Sequence, residues 1–302
     1  MTTAALPRTA AGGHPAKRRP WGQISAQLFL VCASVLWILP IAFALYVAVR
    51  PYAETQKYGY VSLPHQLTLK NFSDAWTQSD MLHFFLNSLA ITAPAVVIVL
   101  ILASSLAFVL TRVDVKVNVG LLILFTAGNL LPQQVIITPL YRLYLQIPLP
   151  SFLSGGSGLL YNSTFGLVVI NVAFQLGFCV FVLSNYMRSV PGEMYEAALV
   201  DGASVWTRYW RLTLPLCRPA LAALATLLTT WIYNDFFWAI TLMSSGDKRP
   251  VTSALANLQG QFVSNQNLIA AAALIAAVPT LVVYVLLQKQ FIAGLSLGSS
   301  KG

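Results

Sequence analysis

Charge is what this sequence has least of. Of its 302 residues, 18 are Lys or Arg and 9 are Asp or Glu, which makes 9% charged. An average soluble domain carries about 25%, enough to cover a water-facing surface. Here 57% of the residues are hydrophobic and the mean hydropathy is +0.70. The charges are also absent in blocks, with none between Arg19 and Arg50, Asp80 and Arg112, Lys116 and Arg142, or Arg142 and Arg188. Gaps of that length match bilayer hydrocarbon, which takes about 20 residues per helix. Soluble enzyme folds are therefore excluded. Histidine and cysteine are scarce as well. His14, His65 and His83 all lie outside the apolar segments, and Cys32, Cys179 and Cys217 are far apart. That supply builds neither a metal site nor a disulfide framework, and the cysteines read as small packing residues.

What is present is a run of apolar segments. Six spans are legible, at about 24–49, 84–111, 117–141, 164–187, 219–243 and 266–288. The first has Ala42-Phe43-Ala44 after a basic start, which imitates a signal-peptidase site. The 18 apolar residues before it exceed the roughly 7–15 of a signal peptide, so the helix is expected to be retained. With the N-terminus inside, twelve basic residues fall on cytoplasmic segments and six on outer ones. This favours both termini in the cytoplasm, and it accounts for the net charge of +9 without a nucleic-acid partner. The fold class is all-α, a polytopic membrane bundle of six helices. Residues 1–23 read as a disordered basic tail, 24–289 as the membrane domain and 290–302 as a second cytoplasmic tail. Among the outer segments, 50–80 has room for a short helix, 143–163 is irregular, and 244–265 carries turn signals at Gly246 and Pro250.

The most informative stretch is the cytoplasmic loop at 189–218. Pro191 suits the first turn of a helix, with Glu193 and Glu196 near its positive end. Asp201-Gly202 stops that helix, and Ser204 can cap a second one through Trp206, Tyr209 and Trp210 until Pro215 and Pro219 interrupt it. Two short helices at an angle make a docking knob, with Ala197 and Ala198 allowing close approach and Glu196 and Asp201 meeting a basic surface. An amphipathic linker lying in the lipid headgroups fits the same residues.

The loop resembles the EAA loop of ABC importer permeases. Glu196-Ala197-Ala198 is followed three residues later by Gly202, then after nine residues by Leu212, Thr213, Leu214 and Pro215, with Leu212 in place of the usual Ile. Four further stretches resemble the maltose-type, MalG-like branch of carbohydrate permeases: Phe85-Leu-Asn87-Ser88, Leu131-Pro132-Gln133-Gln134 to Thr138-Pro139, Trp231-Ile-Tyr-Asn234-Asp235-Phe-Phe-Trp238, and Gln290 to Gly302. The resemblance implies a type I importer permease in a bacterial cytoplasmic membrane. It implies as partners a second homologous permease, a cytoplasmic ATPase pair holding ATP and Mg, and an extracellular substrate-binding protein. Glu196, Ala197, Ala198, Asp201, Gly202, Leu214 and Pro215 carry over as the ATPase-coupling loop. The segment with Gly246, Asp247 and Gln259 corresponds to the one facing the binding protein, and the tail from Gln290 to the one lying against the ATPases. No Gly-x-x-x-x-Gly-Lys-Ser/Thr loop is present, so no ATPase activity and no cofactor are expected on this chain.

Polar residues inside the spans complete the reading. Asp235 is the only charge in any span, and a central charge costs about 2.5–3.5 kcal/mol on insertion scales. Read as helix, Trp231 and Asp235 share a face, as do Asn234 and Trp238. With Asn129, Gln133, Gln134, Asn171 and Gln175, they either line a translocation path for a hydroxyl-rich substrate or bond helix to helix. A neutral di- or oligosaccharide suits the absence of Lys and Arg from the spans. The alternatives are a glycerol-phosphate or glycerophosphodiester importer of the same class and an ion-coupled secondary transporter. The latter is disfavoured by a lone intramembrane acid and by the absence of a visible internal repeat. An intramembrane enzyme lacks a histidine base at depth.

Overall fold

A computed structural model describes residues 20–113, 118–128, 132–258 and 265–296. Residues up to Tyr46 form one unit, which holds all but the end of α1 (Pro20–Ala48). The second unit, from Val47, contains α2 (Tyr52–Tyr58), α3 (Lys70–Gln78), α4 (Met81–Arg112), α5 (Asn118–Gly128), α6 (Ile137–Gln146), α7 (Ser151–Ser154), α8 (Thr164–Ser189), α9 (Glu193–Val200), α10 (Val205–Thr207), α11 (Leu214–Leu216), α12 (Arg218–Tyr233), α13 (Phe237–Leu242), α14 (Val251–Ala254) and α15 (Gln266–Ser296). Among the described residues the fold is all-helical apart from one isolated bridge, Pro148 to Leu159. The helices α1, α4, α8 and α15 are each long and apolar enough to cross a bilayer.

The other two expected spans are broken. In place of one helix over 117–141 there are α5 and, after Pro132 in extended conformation, a 3-10 turn at Gln133–Ile136 leading into α6. A proline has no N–H to continue a helical ladder, which accounts for the interruption. In place of one helix over 219–243, α12 ends at Tyr233, the Asn234 amide makes the last bond of that ladder to the Thr230 carbonyl, Asp235 and Phe236 lie outside the helices, and α13 resumes at Phe237. The polar side chains of Asn234 and Asp235 compete for backbone groups there and stop the helix. At the edges, α1 begins at Pro20 rather than at 24, and α15 runs through 290 to Ser296.

Packing rests on small residues. On α4, Ile91, Ala95, Val99, Ala103 and Ala107 recur every fourth position and are all buried. This stripe brings α4 against α8, where Leu167, Cys179, Val180, Leu183 and Met187 complete the core. Small side chains let membrane helices approach closely, so that dispersion and hydrogen bonding hold them where no hydrophobic drive exists between helices. A second cluster joins α12 to α15, with the Tyr233 hydroxyl donating to the Ala276 carbonyl at 2.9 Å and Ala271, Ala272 and Ala276 buried.

The segments read as outer from the sequence share one end of this unit, and a buried arginine organises it. Arg50 is 0% exposed and pairs with Glu54 at 2.8 Å. Its guanidinium also donates to the Tyr60 carbonyl and to Ser62 Oγ, while Glu54 accepts the amides of His65 and Gln66. Two amide side chains close the clasp: Asn71 donates to the carbonyls of Ala48 and Arg50, and Asn267 of α15 donates to those of Val47 and Arg50. The 50–80 segment, expected to hold one short helix, holds two and is tied by these bonds to the start of α15.

The carboxyl of Glu54 is lowered from 4.5 to about 2, chiefly by the His65 amide, with Arg50 and the Gln66 amide adding and burial opposing. A depressed carboxyl stabilises the fold fully above its ordinary value and loses that contribution as pH falls through the folded one. Thermal unfolding of the purified protein should therefore shift downward between pH 4.5 and about 2. Glu54→Gln should unfold earlier at neutral pH and lack this acid dependence. Parallel pH profiles for the two proteins would contradict the assignment.

Candidate functional site

Two sites emerge at different depths. The first is a cavity of about 390 Å³ lined by Gln133, Asn171, Phe174, Gln175, Thr230, Trp231, Asn234, Asp235 and Trp238. The path residues read from the sequence thus meet around one space, except Asn129, which lies outside the described residues. Asn171 and Gln175, four apart on α8, form one wall as expected. The helical-face argument for Trp231 with Asp235 and Asn234 with Trp238 fails, because α12 has ended by Asn234. The break itself delivers these side chains to the cavity. Gln134 is exposed and outside the lining.

Asp235 is held by dipoles rather than by a cation. Its Oδ1 accepts the Trp238 amide at 3.1 Å, satisfying one of the free N–H groups that open α13. Its Oδ2 faces Asn171 Nδ2 at 3.4 Å, and its carbonyl accepts from Thr252 Oγ1 at 3.1 Å. Asp235 thus bonds to a neighbouring helix and also lines the cavity. Rings frame the space, with Phe178 against Trp231 at 5.3 Å and Phe174 against Trp238 at 5.1 Å. Amides, a carboxylate and indole faces can bond hydroxyl groups and stack on an apolar ring face. Among the described residues, the lining includes no basic side chain.

The second site is the loop between α8 and α12. Helix α9 opens at Glu193 from an N-cap at Gly192, so Pro191 stands just ahead of the helix instead of in its first turn. It closes in a Schellman motif: the amide of Ala203 bonds the Ala198 carbonyl at 2.9 Å and that of Gly202 bonds Leu199 at 3.0 Å. Gly202 has φ +74, the left-handed conformation that motif requires. Ser204 Oγ then accepts the Thr207 amide at 3.2 Å and caps α10, as its position predicted.

From Arg208 to Thr213 the backbone widens into a π-helical turn. Pro215 has no N–H to donate and sits in the first turn of α11, while Thr213 Oγ1 bonds the Arg208 carbonyl at 3.0 Å within the wide turn before it. The chain therefore runs past Pro215 and turns at Cys217, where Val205–Leu216 meets α12 at 71°. Glu196, Ala197, Asp201, Gly202 and Pro215 are exposed, and Ala198 and Leu214 are half-buried. An apolar surface lies among them, with Val200 at 88% and Trp206 at 69% exposure. Sequence reasoning missed the inward anchors Tyr195 and Tyr209, both buried, because an aromatic in such a loop reads equally well as a headgroup contact.

At the opposite end, the carbonyl of Asp247 accepts from His83 Nε2 at 2.7 Å and from Asn87 at 2.8 Å. Gly246 and Asp247 are thereby set beside the start of α4, while Gln259 lies outside the described residues.

Residues 77–296 match the family described as binding-protein-dependent transport system inner membrane component. Among curated proteins, a melibiose/raffinose/stachyose import permease of Bacillus subtilis is 32% identical over 240 residues, 79% of this chain and 83% of that protein. A diacetylchitobiose uptake system permease of Streptomyces coelicolor is 30% identical over 272 residues, 89% of this chain and 86% of its own. Among solved structures, a bacterial ABC transporter involved in import of the acidic polysaccharide alginate superimposes with a TM-score of 0.74 at 20% identity, covering 93% of this chain and 100% of that one. At that identity the likeness speaks for the fold.

The Asp235 bonds carry a stability prediction. Asp235→Ala leaves the Trp238 amide without its acceptor and should cost about 1–2 kcal/mol. It should appear as a lower melting temperature of the purified protein, with Asp235→Asn losing less. An unchanged melting temperature for Asp235→Ala would show that these bonds carry no weight.

Proposed function

The chain belongs to the family of binding-protein-dependent transport system inner membrane components, and on that footing we propose that it is one of two permease subunits of an ATP-driven importer for a neutral di- or oligosaccharide. It is a multi-pass membrane protein, and its site in this reading is the cytoplasmic membrane of a bacterium. The observation that carries the substrate class is the cavity, whose lining offers amides, a carboxylate and indole rings but no basic side chain. The curated relatives above, named for raffinose-type sugars and for diacetylchitobiose, support the same class. A glycerophosphate would call for a cation in the path, and nothing in the lining supplies one. Family membership also sets aside the ion-coupled alternative.

In this reading ATP and Mg belong to a pair of partner ATPases, which dock on the exposed face of the 189–218 loop. Glu196 and Asp201 meet basic residues of the ATPase, while Leu214 and Pro215 set where the second leg ends. Closure of the ATPase pair displaces the loop, and the cavity opens to one side and then the other. The binding protein delivers sugar to the opposite end, near Gly246, Asp247 and Gln259. The tail from Gln290 lies along the ATPases.

Purification of the chain from its native membrane in mild detergent tests this. The expected companions are a Walker-motif ATPase, a second six-span subunit and a binding protein. Recovery of the chain alone, under conditions that preserve other complexes, would refute it. Gly202 gives a sharper prediction. A left-handed conformation costs a residue with a side chain roughly 1–2 kcal/mol. Nothing stands within 4 Å of an added Cβ, so the penalty falls on the turn and not on packing. Gly202→Asp should leave the protein in the membrane at normal level and abolish uptake. Normal uptake by that variant would contradict the docking role of the loop.

A further inference from the structure

We infer that Arg112 is the joint through which the loop drives the membrane helices, a positioning residue that works through Tyr195. The inference rests on the permease reading above and adds where the motion enters the bundle. Arg112 is the last residue of α4. Its Nη2 donates to the carbonyls of Met187 and, at 2.9 Å, Val190, at the end of α8, where the final carbonyls have no partner within their own helix. The carbon of the same guanidinium stands 4.0 Å from the centre of the Tyr195 ring in α9. The Tyr195 hydroxyl in turn meets Thr213 Oγ1 at 3.2 Å, in the second leg of the loop. One half-buried side chain of α4 thus touches α8 and the first leg directly and reaches the second through a single tyrosine.

No carboxylate among the described residues pairs with this cation, and its Nε is buried without a hydrogen-bond partner. Its position therefore depends on the ring and the carbonyls, both of which are directional. A surface ion pair would tolerate sliding. This arrangement does not, because moving α9 carries the ring away from the guanidinium or takes α4 with it. A second attachment keeps the loop from pivoting about that point. Tyr209 sets its hydroxyl 2.9 Å from Ser104 Oγ and 3.1 Å from Ser105 Oγ, with its ring 5.4 Å from Phe108, all three on α4. Both legs are fastened to the same helix, one turn or more apart, so displacement of the loop becomes displacement of α4 and of α8 packed against it. The face presented outward, with Val200 and Trp206, plays no part in these bonds.

The test uses the complete complex, with ATPases and binding protein, reconstituted in proteoliposomes. The quantity measured is sugar taken up per ATP hydrolysed, beside hydrolysis alone. Arg112→Gln should lower uptake per ATP about tenfold, within the range for coupling between sites, while hydrolysis stays within about twofold. Arg112→Lys, which keeps a cation over the ring, should recover much of the ratio. Tyr195→Phe should couple nearly normally, whereas Tyr195→Leu should match Arg112→Gln and add nothing to it in the double variant. Should Arg112→Gln fail to assemble, the Tyr195 pair decides alone. An unchanged ratio in Tyr195→Leu, or a loss explained by ATPases no longer bound, would overturn the inference while leaving the importer reading intact. An unaltered complex whose hydrolysis does not respond to binding protein would overturn both.

Discussion

Hydrocarbon offers no hydrogen-bond partner, and the rest of this structure follows from that constraint. A chain crossing it must satisfy its own polar groups, which makes every span a helix and every interruption a local problem to be solved. The hydroxyls inside the spans solve it by folding back. Thr111, Thr126, Thr226, Thr230 and Thr241 each donate to the carbonyl four residues earlier, so these threonines enter the membrane without an orphan donor, whereas Thr92 Oγ1 on α4 is buried without a partner. Helix contacts are then left to small residues such as the Ala95, Ala103 and Ala107 stripe.

Two arginines, Arg50 buried and Arg112 half-buried, lie at opposite ends of the unit, and their charges are met differently. Arg50 has a carboxylate, and Glu54 in turn gathers two backbone amides, so the outer clasp is a closed network. Arg112 has only carbonyls and a ring. A charge pair in a closed network resists rearrangement because breaking it strands a buried ion. A cation held by carbonyls and a π face has neutral partners whose hold is directional. The end tied to α15 by Asn267 is thus the more heavily cross-linked. In the importer proposed here, that end would stay fixed while the loop moves as a unit with α4.

Much of this was legible in the sequence, for a physical reason: transfer into a bilayer depends on composition over about 20 residues, a quantity that needs no tertiary information. The order and place of the spans, the two-legged loop, the Gly202 turn and the Ser204 cap all followed from composition or from local chemistry. What escaped were breaks and partners. The break after Tyr233 depends on Asp235 finding the Trp238 amide and Asn171 of another helix, and no window of sequence contains Asn171. Pro215 likewise reads as a helix breaker, whereas it sits in the first turn of α11 directly after the π turn. Asn171, Gln175 and Asp235 could be named as polar residues needing explanation, but only the fold brings them around one cavity with Trp231.

The break and the loop are also connected, because α12 runs between them. It starts at Arg218, directly after the turn at Cys217, and ends at Tyr233, beside Asn234 and Asp235. Sixteen residues span about 24 Å, so the helix is a rod with the docking loop at one end and the cavity at the other. Had the span continued unbroken to residue 243, the rod would have passed the cavity and presented only side chains to it. Ending at Tyr233, it leaves the two polar residues that stopped it, Asn234 and Asp235, in the lining. A displacement entering at Cys217 therefore reaches Asp235 along a single element, while α4 receives the same displacement through Arg112. In the importer proposed here, helices on two sides of the cavity would be driven from one loop. In that reading the polar interruption, costly in hydrocarbon, is where the substrate path would run, because the ended helix sets the Asp235 carboxylate, bonded to the Trp238 amide, in the wall of the cavity.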